Sequence, residues 1–237
     1  MKVIRFGIEG VINSFRIPFF RTYHKSFLAP PKTTIIGMLC NISLKSQKEF
    51  FQILNEDKIL LSVVINHIEG SCKDLWSYKT RDKKNRGKNV IRRDKFFIPT
   101  YTIYLKIKDE NLYNDILNSL INPKNIPSLG LDDELIHIFD IEEINLIKND
   151  SNRIDSVFID IGIEYKAFVK DINQAIELPT SNLTPKKFKA FDSKGKFISR
   201  EIIEECRQVE FINCEIEFQE NVNSFKDTDL NNRLVFY

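Results

Sequence analysis

Little in this sequence of 237 residues suits metal binding or a membrane. Its four cysteines, Cys40, Cys72, Cys206 and Cys214, form no CxxC pair, and only three histidines accompany them. A zinc site draws its ligands from closely spaced thiolates and imidazoles. This set therefore argues against zinc, and the cysteines read as reduced, mostly buried thiols of a cytoplasmic protein. No metal or other cofactor is expected. No apolar run approaches the ~20 residues that span a bilayer. The opening MKVIRFGIEG alternates polar and apolar residues, where a signal peptide would carry an unbroken apolar core. Internal repeats and low-complexity tracts are absent. With 42% apolar and 29% charged residues the composition is that of an ordinary folded chain, long enough for one large domain or two small ones.

What stands out is the placement of charge. Lys79 to Lys95, KTRDKKNRGKNVIRRDK, holds nine Lys/Arg against Asp82 and Asp94, a net +7. The whole chain carries only +2, so everything else sums to −5. A concentrated cationic segment on a mildly acidic body is what a polyphosphate ligand selects. Trp76 and Tyr78 precede the run, and Phe96, Phe97 and Tyr101 follow it. Aromatic rings beside cations suit stacked bases and their phosphates. The competing reading is an exposed hairpin whose lysines serve solubility alone.

Hydrophobic patterning predicts a strand over Lys2–Glu9 and then an irregular segment from Gly10 to Lys32 rich in aromatic and basic residues. Pro30-Pro31 stops anything helical before it, and Thr33-Thr34 are expected to cap a helix running through Ile35, Ile36, Met38, Leu39 and Ile42. Leu60–Ile68 and Phe97–Ile107 read as strands on either side of the basic run. Leu112, Ile116, Leu117 and Leu120 fall at helical spacing, ended by Asn122-Pro123, and Ile138–Ile147 supplies a fourth strand. The order β, α, β, insertion, β, α, β is that of an α+β, ferredoxin-like or RRM-like domain with an inserted basic β-hairpin. The expected domains are residues 1–150, with the hairpin at about 72–97, and a smaller, mainly β unit over 151–237. In that unit Val157–Tyr165, Phe188–Phe191 and Val209–Phe218 read as strands, and Asn173–Lys187, with Pro179 and Pro185, as a loop.

The stretch FRIPFFRTYHKSFLAPPKTTIIGMLCNI, Phe15 to Ile42, resembles the amino-terminal signature of family five of the CRISPR-associated RAMP proteins. The shared elements are a strand ending at Phe6-Gly7, then Phe15-Arg16-Pro18, Ser26-Phe27, Pro30-Pro31, Thr33-Thr34 and Ile36-Gly37. PSLGLDDELIHI, Pro127 to Ile138, is similar to the family's PxLGRxE-type segment, with Leu131 where that pattern often has Arg. The basic insertion lies where the family carries its thumb hairpin. The resemblance covers residues 1–150 and extends beyond them only in length and strand content. It implies a non-catalytic RNA-binding subunit of a type I Cascade effector complex, most like type I-B members, acting in antiviral defence. Such a subunit caps the 5′ end of crRNA and holds its repeat-derived handle. The implied partners are crRNA, the Cascade backbone subunit, the large subunit and, through the assembled complex, target DNA, with no membrane.

Several residues are candidates for RNA contact. Arg16, Arg21, Lys25 and Lys32 offer charge-assisted bonds to phosphates, and Arg16 falls on the family's Phe-Arg pair. Thr33 and Thr34 open a helix whose free N–H groups form a phosphate seat, a role compatible with plain capping. Tyr23 and His24 suit stacking on splayed bases, or are a buried aromatic and an incidental surface histidine. Trp76 stacks on a base or packs at the hairpin root. Arg81, Lys83, Lys84, Arg86, Lys88, Arg92 and Arg93 are placed to track the RNA backbone, with Gly87 at a tight tip. The alternative activity is metal-independent endoribonuclease cleavage of precursor crRNA, which one branch of the resembling family performs with Tyr, Lys and His. Tyr23-His24-Lys25 contains those types, but adjacent side chains of an extended loop point apart. A generic nucleic-acid-binding protein is the remaining reading.

Overall fold

The computed structural model describes residues 1–20, 22–79, 87–169, 180–193, 196–210 and 214–237. It is mostly β. The first sheet contains β1 (Lys2–Gly10), β2 (Ile12–Asn13), β3 (Ile59–Lys79), β4 (Lys88–Ile107) and β5 (Ile136–Asn145). Its backbone order is β5–β1–β4–β3, every pair antiparallel, and β2 adds two residues opposite Phe96 and Phe97 of β4. Alternation along β1 sends Ile4, Phe6 and Ile8 to one face and Val3 and Arg5 to the other. Both sets are buried, because both faces of the sheet are covered.

Three helices cover the first face: α1 (Lys32–Ile42), α2 (Gln47–Asn55) and α3 (Glu110–Ile121). Ile35, Ile36 and Leu39 of α1, Ile53 and Leu54 of α2, and Ile116 and Leu120 of α3 close over the sheet residues Phe6, Leu61, Val63, Ile103 and Leu105. Each such side chain contributes about 1.5–3 kcal/mol by leaving water. Helix α1 corrects one expectation: Pro31 occupies its N-cap and no side chain caps it, so Thr33 and Thr34 lie inside the first turn. Helix α2 was absent from the sequence reading. Ser46 and Glu49 form its capping box, each side chain bonding the other's backbone N–H. Helix α3 is capped by Asp109 and ends at Asn122, before Pro123.

The remaining elements are β6 (Ile147–Ile154), β7 (Phe158–Ile159), β8 (Tyr165–Val169), β9 (Thr180–Ser193), β10 (Lys196–Glu210), β11 (Cys214–Lys226) and β12 (Arg233–Leu234). Strands β7, β10 and β9 form one small sheet, and β12, β11 and β6, with β8 also on β11, form another. The expected loop Asn173–Lys187 is strand from Thr180 onward, while its residues 173–179 lie outside the described residues. Pro185 fits there because the pairing slips beside it, between Glu204 and Glu205. The expected strand Val157–Tyr165 breaks into β7 and the start of β8 around a turn in which Gly162 adopts φ +92°. Of the expected strand Val209–Phe218, residues 211–213 lie outside the described residues. Strand β6 runs across residue 150, and Val157, Phe158, Phe188, Cys206 and Tyr237 belong to the same core cluster as Phe6 and Leu39.

Residues 233–237 extend the outer edge of β3 and cover part of the second face of the first sheet. Tyr237 exchanges both backbone hydrogen bonds with Leu61, at 2.8 and 3.0 Å. Leu234, Val3, Val64, Tyr104 and Leu146 form a cluster there. Beside it the Arg5 guanidinium donates to Asp227 at 2.8 Å and to Glu142, and the Tyr104 hydroxyl donates to Asp227 at 2.8 Å.

Candidate nucleic-acid interface

Strands β3 and β4 outrun the sheet. Their inner parts pair within it, and from about Gly70 and Phe97 they continue as a two-stranded hairpin through the pair Lys79–Lys88. At the point of departure Ile98, before Pro99, takes φ +44°, rare for a β-branched residue, and its N–H bonds to the Val11 carbonyl at 3.0 Å. The described strand residues of the basic run, Lys79 and 88–95, thus sit on this two-stranded arm. Lys88 and Arg92 are exposed on it. Arg81, Lys83, Lys84 and Arg86 lie outside the described residues, as does Arg21.

The segment 14–28 folds back on itself beside the hairpin root. Ile17 donates to the Lys25 carbonyl at 2.8 Å and Phe27 to the Phe15 carbonyl at 2.7 Å. Phe15, Ile17 and Phe27 are buried as anchors, which leaves Arg16 and Pro18 turned outward. His24 stitches this segment to β4: its N–H donates to the Arg92 carbonyl at 2.8 Å, and its own carbonyl accepts from Asp94 at 2.9 Å. Partial burial, with the nearby charges of Arg16 and Arg93, pushes the His24 imidazole below its ordinary range and keeps it neutral at pH 7.

Charge and aromatic contacts fix the hairpin root. The Arg93 guanidinium donates to Asp74 at 2.5 Å and lies 4.7 Å from the Trp76 ring centroid, leaving the indole 46% exposed. Arg92 lies 5.3 Å from the Tyr23 ring, and Tyr23 packs on Phe20 at 5.0 Å. Lys95, nearly buried, reaches Glu134 at 3.2 Å. Glu134 is 2% exposed and accepts from Ser14 N–H at 2.8 Å, Ser14 hydroxyl at 2.6 Å and Leu131 N–H at 3.0 Å. It binds the PSLG turn to the start of the 14–28 segment. Gly130 in that turn has φ +112°, and a Cβ there would stand 2.2 Å from the Glu134 carboxylate and 2.4 Å from the Ser14 carbonyl oxygen. Only glycine fits.

Between these elements lies a cleft of about 550 Å³. Of the residues singled out from sequence, Arg16, His24, Lys25, Thr33, Thr34, Trp76 and Arg93 line it together. Tyr23 stands beside it, half-buried. Lys32 does not join: its side chain is fully buried and its ammonium pairs with Asp57 at 2.9 Å, where Lys187 also binds at 2.6 Å. Burial pushes the Lys32 amine below its ordinary range, against the pull of Asp57. Lys32 is thus an internal ion pair rather than a surface phosphate contact. The opposite wall escaped the sequence reading altogether. Pro185, Phe188, Arg200 and Ile202 of the β9–β10 hairpin complete the cleft. A single Arg in an alternating strand carries no local signal, so only the fold reveals it.

Among the described residues no group of His, Cys, Asp and Glu is arranged to hold a metal ion. His67 pairs with Glu69 at 2.9 Å and His137 stacks on Phe139, both away from the cleft. No helix among the described residues is long and apolar enough to cross a membrane.

Comparison with known proteins gives the family. The model of the CRISPR-associated protein family (Cas_Cas5) matches residues 3–153, from β1 into β6. This chain belongs to that family. The match takes in every cleft residue of the first wall and none of the β9–β10 hairpin. Among solved structures, the Cas5-family chain is similar to one described as "CRISPR RNA-guided surveillance complex", with 13% identity, 91% of each chain covered and TM-score 0.51. A second, "Crystal structure of a CRISPR protein from Archaeoglobus fulgidus", is 14% identical over 99% of this chain and 98% of that one, also at TM-score 0.51. The fold is therefore shared over nearly the full length. A third, "Crystal structure of Cas protein", is matched over 56% of this chain and 58% of that one, at 14% identity and TM-score 0.38. No curated protein matches the sequence.

Proposed function

We propose that this Cas5-family protein is a non-catalytic RNA-binding subunit of a Cascade-type CRISPR effector complex, binding and capping the 5′ handle of crRNA. The observation that carries the reading is the cleft at the root of a projecting basic hairpin. It gathers cations (Arg16, Lys25, Arg93), a half-exposed indole (Trp76) and the open N-terminus of α1. Cations neutralise phosphates, the indole stacks on an unpaired base, and the free N–H groups of the first helical turn favour an anion. The order β5–β1–β4–β3 with helices on one face supports a ferredoxin-like N-terminal domain, and the β3–β4 arm supports a thumb laid along the guide. Similarity in fold to a protein from an RNA-guided surveillance complex supports assembly with a backbone subunit, a large subunit and, through them, target DNA.

The test is binding of the purified protein to RNA carrying its own repeat-derived 5′ handle against a scrambled RNA of equal length, in EDTA. Preference for the handle with intact RNA is expected; equal binding to both would remove handle capping. Neutralising Arg81, Lys83, Lys84 and Arg86 together should weaken binding and flatten its salt slope by about 0.7 per lost phosphate contact. One observation favours cleavage as a second reading: the neutral His24 imidazole flanked by Arg16 and Arg93 pairs a base with cations, as attack by a 2′-hydroxyl requires. Fragments ending in 2′,3′-cyclic phosphate, lost in His24→Ala, would establish it.

A further inference from the structure

The two walls of the cleft are built alike, from opposite ends of the chain. On the β3–β4 arm Trp76 is backed by Arg93; on the β9–β10 hairpin Arg200 is backed by Phe188, its guanidinium 4.5 Å from the ring centroid. In each pair the inner member is buried and the outer one exposed: Arg93 and Phe188 are 8% and 4% accessible, whereas Trp76 and Arg200 are open to the cleft. Phe188 is held firmly. The Asn55 amide donates to its carbonyl at 2.7 Å and accepts from its N–H at 3.1 Å, so the C-terminus of α2 fixes the ring on which Arg200 rests. Pairing of Arg200 with Ala190 across the β9–β10 ladder fixes the backbone beneath it.

The described arginines divide into those held by a carboxylate and those that are not, Arg16, Arg92, Arg200 and Arg207. Arg5, Arg93, Arg153 and Arg233 each pair with a carboxylate. No carboxylate among the described residues pairs with Arg200, whose contact is the Phe188 ring. An arginine laid on an aromatic ring keeps the donors of its edge free in a fixed orientation, the arrangement that receives a phosphate. The cleft's volume of about 550 Å³ falls in the range of small-ligand pockets.

We infer that the cleft takes one unpaired nucleotide of the RNA between its walls, with the base on Trp76 and a phosphate on Arg200. This rests on the RNA-subunit reading above and extends it to the C-terminal half, outside the family match. RNA then closes the cleft by bridging the β3–β4 arm to the β9–β10 hairpin.

The test is fluorescence anisotropy of handle RNA against the full-length protein over a series of salt concentrations, for the parent, Arg200→Ala, Arg200→Lys and Trp76→Leu, with circular dichroism confirming each fold. Arg200→Ala is expected to weaken binding about tenfold at low salt, as for one lost charged hydrogen-bond group, and to lower the salt slope by about 0.7. Arg200→Lys should keep the slope and recover part of the affinity. Trp76→Leu should weaken binding with the slope unchanged. Parent-like binding by Arg200→Ala overturns the inference and leaves the RNA-subunit reading standing. Weakened binding with an unchanged slope also overturns it, because Arg200 would then be stacking on a base. A parent protein that binds no RNA at any salt removes the RNA-subunit reading, and the inference with it.

Discussion

Replacing Glu134 by Gln should loosen the whole floor of the cleft. The carboxylate is 2% exposed and faces four donors: the N–H and hydroxyl of Ser14, the N–H of Leu131, and the Lys95 ammonium at 3.2 Å. Glutamine preserves the shape but turns one acceptor oxygen into a donor and leaves Lys95, itself 8% exposed, with only Asp74 at 3.9 Å. Breaking a buried pair by neutralising one partner costs about 3–5 kcal/mol, because the other charge stays in a poorly solvated place. For a chain of this length each kcal/mol is worth about 2–4 °C, so Tm should fall by about 6–20 °C. The double variant Lys95→Met, Glu134→Gln should lose less than the sum of the single variants, since no orphan charge remains. Thermal unfolding followed by circular dichroism reads both, with the exposed neighbour Asp132→Asn as control. A Glu134→Gln protein melting within about 2 °C of the parent would refute the idea that this carboxylate holds the PSLG turn against Ser14.

Asp227 should impose a pH dependence. Burial alone would raise its carboxyl, but the hydrogen bonds from Arg5 and Tyr104 outweigh it and hold the group below the ordinary carboxylate range. A carboxylate whose folded pKa is depressed stabilises in full above the unfolded value of about 3.9 and loses that stabilisation as pH falls through the folded one. Asp227→Asn should therefore cost about 3–5 kcal/mol at pH 7 and progressively less below about pH 4 in denaturant titrations; an equal loss at pH 3 and pH 7 would contradict this. Thiol labelling gives a further check. Burial pushes Cys40 and Cys206 up to about 12, so native protein treated with a maleimide at pH 7.5 should carry label on exposed Cys72 and spare both. Rapid modification of either would mean that the core around it opens.

Much of the first wall was legible in the sequence because its residues are neighbours in the chain or share a motif. Arg16, His24, Lys25, Thr33 and Thr34 stand within twenty residues of one another, Trp76 shortly precedes the basic run and Arg93 belongs to it. Strand β1 and helices α1 and α3 followed from apolar spacing. Helix α2 was missed although Ser46 and Glu49 spell a capping box, because QKEFFQILN offers only a short apolar stripe. Lys32 was misjudged for a different reason. A lysine opening a helix reads as solvated, and the carboxylate that draws it inward, Asp57, lies 25 residues away on the far side of α2. Phe188 and Arg200 were invisible because their meaning lies in tertiary placement: β9 and β10 alternate apolar and charged residues like any half-exposed hairpin, and only packing against α2 aims one side of it at the cleft.

The Arg5–Asp227 pair also sets a timetable for the nascent chain. Arg5 is made 222 residues before its principal partner. At ribosomal speeds of about 5–20 residues per second that interval is roughly 10–45 s. Throughout it the second face of the first sheet lacks Leu234, the outer edge of β3 lacks Tyr237, and for most of it the cleft lacks Arg200. A chain interrupted within that interval would leave Arg5 with Glu142 alone, on an uncovered sheet face beside half a cleft.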